Sequence, residues 1–179
     1  SALPYAGLIV MGSYVDEGGD YDLLHYPKPV LTLNAELDGG AARPGKTAVW
    51  WRQYLAIAAL RGEENAILEK PVIVLPKLNH SDFCPGFDVP GDLPAEVDQA
   101  AATATVGGAV AAFLHAQTAS ASPAVRGAAL ESLRERVAWT AGLLGPYLLV
   151  QRMERDEAGT GVSPEGASSF CAAAQRLLG

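Results

Sequence analysis

Three short stretches of the chain are mostly apolar, and a polar turn follows each of them. They are Leu8–Met11, a stretch with Val30, Leu31 and Leu33, and Val72–Leu75. Unbroken apolar runs, rather than alternating apolar and polar residues, indicate strands that are covered on both faces. Such strands are typical of a parallel sheet. The glycine, aspartate and proline residues between the first two runs predict a loop.

Spacings of three and four residues between apolar positions predict helices elsewhere in the chain. The first spans residues 43–62, and the second starts near Asp92, with Pro94 in its first turn. A long amphipathic helix is predicted over residues 123–156, where Pro146 is expected to kink or restart it. A short helix is predicted at the carboxyl end. Strands and helices in this order predict an α/β fold with a mostly parallel sheet.

Composition narrows the class of protein. The chain has 179 residues, a net charge of −7 and 49% hydrophobic residues, which is typical of a globular protein and long enough for a sizeable core. The acidic balance argues against nucleic acid and anionic membranes as partners. No apolar run approaches the roughly 18 residues that span a bilayer. Cys84 and Cys171 allow one disulfide or two free thiols; a bridge would favour a secreted protein, and otherwise the compartment stays open.

Two residues with catalytic chemistry follow neighbouring strands. Asp38 comes after the second strand in "ELDGG", and His80 comes after the third in "NHSDF". Ligands of open parallel sheets bind beyond the carboxyl ends of the strands, so we expect these two side chains to lie within hydrogen-bonding distance. A carboxylate that orients an imidazole base forms two parts of a Ser-His-Asp triad. The alternatives are a turn aspartate and a solvent-facing histidine, and Asp82 is expected to make a local turn hydrogen bond.

Three blocks, "YAGLIVMGSY", "KPVLTLNAELDG" and "PVIVLPKLNHSDF", resemble consecutive segments in the carboxyl-terminal half of α/β-hydrolase serine esterases and lipases. The resemblance covers about residues 5–117 and implies a partial α/β-hydrolase fold with the last three strands of its sheet. It implies that Asp38 is the acid and His80 the base of a triad, acting on a small-molecule ester without cofactor or metal. Residues 118–179 are expected to form a helical extension, packed on or near a core of residues 1–117.

The nucleophile motif of that family, G-x-S-x-G, is missing from the sequence. The nearest string is "GASSF", whose Ser168 comes after the histidine in a helical pattern; Ser13 opens no helix, and Ser81 adjoins His80. We therefore expect a fragment of a serine hydrolase, inactive by itself, whose nucleophile and oxyanion hole lie on a missing amino-terminal half. The alternative is a non-catalytic α/β binding module derived from a hydrolase, with helix 123–156 docking a partner.

Overall fold

The structure is a computed structural model, and it describes residues 6–13, 23, 25–39 and 44–157; for residues 44, 45 and 150–157 it describes the backbone alone. The chain divides into two compact units, Ser1–Thr140 and Ala141–Gly179. The sheet lies in the first unit. The domain boundary after residue 117 stays a prediction. Among the described residues, no helix combines the length and apolar character that crossing a bilayer requires.

The sheet has three strands, all parallel, in the order β1 (Leu8–Met11), β2 (Val30–Ala35) and β3 (Val72–Leu75). The three predicted strands are therefore confirmed, as is a parallel sheet with flanking helices. Met11 lies beside Leu33, and Leu33 lies beside Ile73. Because all three strands run in the same direction, the segments that leave their carboxyl ends emerge at one edge of the sheet.

In the part of the chain that the structure describes, four helices and one short 3-10 turn accompany the strands: α1 (Pro44–Arg61), α2 (Glu63–Glu69), the turn His80–Phe83, α3 (Gln99–Gln117) and α4 (Pro123–Glu157). Helix α1 matches its prediction, with proline in the first turn, where its missing N–H costs least. Helix α2 was not predicted as a separate element. Gly62 separates it from α1 with a φ of +88°, a conformation that glycine adopts readily.

The predicted start of the helix near Asp92 is wrong, because α3 begins only at Gln99. The side chain of Asp98 caps it by accepting a hydrogen bond of 2.8 Å from the Ala101 N–H. The residues before the cap are held by other contacts. Leu93 N–H donates to the Leu37 carbonyl, and Glu96 N–H donates to the Lys77 carbonyl. These long-range bonds leave no local sequence signal.

The core is centred on β2 and β3, since all six residues of β2 and all four of β3 are buried. Trp50 and Trp51 are buried on α1. Strand β1 differs, because Leu8 is 41% and Met11 47% exposed. The prediction of a first strand covered on both faces is therefore wrong for this structure.

Helix α4 bears out the predicted amphipathic pattern, with Leu133, Val137 and Leu144 buried. It continues past Pro146 without a restart. Proline at this position lacks the N–H that would donate to the carbonyl of Gly142, four residues earlier, so one helical hydrogen bond is absent there. The predicted last helix, residues 167–179, lies outside the described residues.

Candidate functional site

A turn that follows β2 places Asp38 at the end of the sheet where the carboxyl ends of the three strands lie. The backbone of this turn is bonded to the segment after β3: Glu36 N–H donates to the Leu75 carbonyl, and Leu37 N–H donates to the Leu78 carbonyl. The parallel pairing of β2 and β3 thus continues beyond the strands themselves. The loop that carries Asp38 and the loop that carries His80 leave the sheet side by side.

His80 begins the short 3-10 turn after β3, and the two side chains of a capping box hold this turn in place. The Asn79 side chain accepts a hydrogen bond from Asp82 N–H, and the Asp82 carboxylate accepts one of 2.9 Å from Asn79 N–H. The local turn hydrogen bond predicted for Asp82 is therefore confirmed. The reciprocal bonds fix the backbone on both sides of His80, and this limits the directions in which its imidazole can point.

The side chains of Asp38 and His80 are in direct contact, with 2.8 Å between Asp38 Oδ2 and His80 Nδ1. The predicted proximity is confirmed. The Asp38 side chain has no exposed surface, whereas the His80 side chain is 21% exposed. In the neutral imidazole, a proton on Nδ1 donates to the carboxylate and leaves Nε2 as the proton acceptor. Among the described residues, His80 Nε2 has no hydrogen-bond partner.

Gly12, the residue directly after β1, lies against the imidazole of His80. It is buried, its φ is +58°, and its N–H donates to the Leu33 carbonyl. A Cβ atom at this position would lie only 2.8 Å from His80 Cε1, a distance that would force the ring to move. The strand-end glycine is visible in the sequence, but nothing local shows that it faces a histidine from the third strand.

Among the described residues, no nucleophilic side chain forms a hydrogen bond with His80 Nε2. Ser13 lies two residues after β1, and the Ser81 hydroxyl is engaged in hydrogen bonds with Asp92 and the Val89 N–H. Cys84 is exposed. Ser168 and Cys171, and with Cys171 the question of a disulfide, lie outside the described residues.

The described parts of the chain also contain no group of three or more His, Cys, Asp or Glu side chains that could hold a metal ion. The arrangement that is present can hold an imidazole in one tautomer and accept a proton at Nε2. Comparison of the chain with family models, with curated proteins and with solved structures returns no match. The contact between Asp38 and His80 is therefore the feature of the chain that points to a function.

Proposed function

We propose that this chain supplies the acid and the base of a serine hydrolase that cleaves small carboxylic esters. Asp38 is the acid and His80 is the base. The observation that carries the proposal is the 2.8 Å contact between the buried Asp38 carboxylate and His80 Nδ1 at the carboxyl edge of a parallel sheet. Ligands of open α/β sheets bind beyond the carboxyl ends of the strands. A partly exposed imidazole there can reach a nucleophile that attacks a bound substrate.

In the proposed reaction, His80 Nε2 takes the proton of a serine hydroxyl as its oxygen attacks the ester carbonyl. The resulting imidazolium, stabilised by Asp38, returns the proton to the departing alcohol, and an acyl-enzyme remains. Water then attacks the acyl group while His80 Nε2 takes its proton, and the imidazolium returns that proton to the serine oxygen as the carboxylic acid departs. The chain's contribution is the oriented base, and no cofactor takes part in this scheme.

The serine and the oxyanion hole would come from an amino-terminal half of the hydrolase fold, docked beside β1. The outer edge of β1 supports this part of the proposal. Leu8 N–H donates to the Pro29 carbonyl, directly before β2, and Gly12 N–H donates to the Leu33 carbonyl, so the N–H groups of Ile9 and Met11 point away from β2. The exposed side chains of Leu8 and Met11 lie on the same strand. A further strand beside β1 would satisfy these backbone groups and cover both side chains.

The test is hydrolysis of a short-chain nitrophenyl ester by the purified chain, alone and mixed with a separately expressed amino-terminal half. We expect the chain alone to be silent, since the part of it that the structure describes contributes neither a placed nucleophile nor oxyanion donors. The mixture should turn over the ester, and His80→Ala should reduce that turnover on the order of 10⁴-fold or more. His115→Ala, which removes an exposed histidine near the end of α3, is the matched control and should leave turnover unchanged.

Each of the other outcomes overturns a distinct part of the proposal. Turnover by the chain alone, abolished by His80→Ala, would place a nucleophile within these 179 residues. Turnover by the mixture that survives His80→Ala would remove the catalytic role of the Asp38–His80 pair. A complex that forms but stays silent would favour the non-catalytic binding module.

A further inference from the structure

Asp92 contacts both of the loops that carry the Asp38–His80 pair. Its Oδ1 accepts a hydrogen bond of 3.3 Å from the Gly39 N–H. Its Oδ2 accepts two bonds of 3.0 Å, one from the Ser81 N–H and one from the Ser81 hydroxyl. Gly39 directly follows Asp38 and Ser81 directly follows His80, so the carboxylate bonds to the next residue after each member of the pair.

We propose that Asp92 is a positioning residue, which sets the distance between Asp38 and His80 by holding both loops on one carboxylate. Three donors converge on a single charged group, and charge-assisted hydrogen bonds are about twice as strong as neutral ones. A shift of either loop breaks at least one of these bonds. The position of the Asp38 carboxylate relative to His80 Nδ1 is thereby tied to a third, distant residue.

The backbone around Asp92 reinforces this link. A Cβ atom on Gly39 would lie 1.6 Å from the Gly91 carbonyl oxygen, so the Asp38 loop and the segment before Asp92 approach more closely than any side chain at position 39 would permit. Leu93 N–H donates to the Leu37 carbonyl at 3.1 Å, and the Leu93 carbonyl accepts a hydrogen bond of 3.0 Å from the Asn79 side chain. The segment therefore bonds to both loops again, one residue after Asp92.

A purely structural role for Asp92 would affect stability without changing the imidazole, so the test must observe the ring itself. Nitrogen-15 spectra of the full chain report the tautomer of His80, and the exchange rate of its Nδ1 proton with water reports how often the contact with Asp38 opens. Asp92→Asn replaces one acceptor oxygen with an amide donor, which faces the N–H groups that the carboxylate accepted from. Asp88→Asn is the matched control, because Asp88 is an exposed residue of the same segment.

We expect Asp92→Asn to weaken the His80 tautomer preference and to speed exchange of the Nδ1 proton about tenfold or more, as for loss of a hydrogen bond to a charged group. Asp38→Asn should abolish the preference, and Asp88→Asn should change neither signal. Unchanged tautomer and exchange in a folded Asp92→Asn chain would overturn the proposal. If that variant does not fold, Ser81→Ala removes one of the three donors; faster exchange would then support the proposal, and unchanged exchange would overturn it.

The relevance of Asp92 to catalysis depends on the proposed function, but the spectroscopic result does not. A chain that is silent in every esterase assay can still show that Asp92 orders His80. Conversely, an active hydrolase in which Asp92→Asn leaves the imidazole unchanged would retain the proposed function and reject the positioning role. The two proposals can therefore fail separately.

Discussion

The two edges of the three-stranded sheet are built differently. At the β3 edge all four strand residues are buried, and the Val74 N–H donates to the hydroxyl of Thr140 on α4 at 2.9 Å. At the β1 edge, Leu8 and Met11 are largely exposed. Both edges belong to strands with unbroken apolar runs, so their side-chain composition does not explain the difference. A helix of the same chain contacts one edge, while no described residue pairs with the outward backbone groups of β1.

This difference shows that an edge strand of a parallel sheet needs a partner for its outward backbone groups, which its own sequence does not supply. Unpaired N–H and C=O groups on an edge invite pairing with another strand, and proteins usually cover or block such edges. The chain covers the β3 edge with Thr140, whose hydroxyl also donates to the Arg136 carbonyl within α4. The open β1 edge is consistent with the proposal that a further part of a hydrolase docks there.

The largest expected effect is the difference in stability between two truncations at neighbouring positions, one on the central strand β2 and one on the edge strand β1. Leu33 on β2 is fully buried and lies beside Met11 on β1. Leu33→Ala should lower the free energy of unfolding by about 2–5 kcal/mol, through lost burial and the cavity it leaves. Met11→Ala should change it by less than about 0.5 kcal/mol, as for other exposed sites. Urea unfolding of both variants measures the contrast.

The comparison of the edges breaks down if Met11→Ala costs as much as Leu33→Ala. Such a result would mean that β1 is covered in solution, and self-association through its edge is the first explanation to examine. A concentration series by analytical ultracentrifugation distinguishes this case. Stability that rises with protein concentration in the parent chain, and not in a Met11→Lys variant, would identify the β1 edge as the contact.

A smaller effect is expected at the covered edge from Thr140→Val. Valine has nearly the shape of threonine but cannot accept the hydrogen bond from the Val74 N–H, which would be left buried without a partner. The free energy of unfolding should fall by about 1–3 kcal/mol. Thr105→Val is the control, since the Thr105 hydroxyl makes the same type of bond within its helix, to the Ala101 carbonyl. Equal losses in the two variants would show that Thr140 does not seal the edge.

The smallest effect concerns Lys70, which lies two residues before the first residue of β3. It is buried, and its Nζ donates to the carbonyls of Tyr26, at 2.8 Å, and Lys28. Burial lowers the pKa of Lys70 below its usual 10.5, while the charge of Glu69 acts in the opposite direction. Between the lowered pKa and the unfolded value, the unfolded chain binds more protons. Stability from this group should therefore rise with pH through that window.

The check for Lys70 is the difference in unfolding free energy between the parent chain and Lys70→Met across the alkaline range. The difference isolates Lys70 from other groups, including Tyr54, whose pKa is raised by burial and whose contribution has the opposite sign. Lys70→Met should be less stable at neutral pH, because the two carbonyls lose their donor. A difference that does not vary with pH would contradict the lowered pKa.

Sequence reasoning was most accurate where the signal is local. The apolar runs located all three strands because strands covered on both faces of a parallel sheet are rich in apolar residues, with the buried Thr32 and Asn34 of β2 as exceptions. The positions of Asp38 and His80 followed from the topology, since parallel strands end at the same edge. The start of α3 was misplaced because Asp92 looks like a helix-start residue, whereas Asp98, with its side chain on the Ala101 N–H, is the actual cap.

By itself, the sequence determined that three parallel strands form and that an aspartate and a histidine follow two of them, because strand propensity and chain direction are properties of short segments. Only the tertiary structure decided which sheet edge is covered, that Gly12 lies against the imidazole and that Asp92 bonds to both loops. Each of these contacts joins residues that are distant in the chain. The geometry and energy of such contacts depend on where several elements meet, and no local pattern records that.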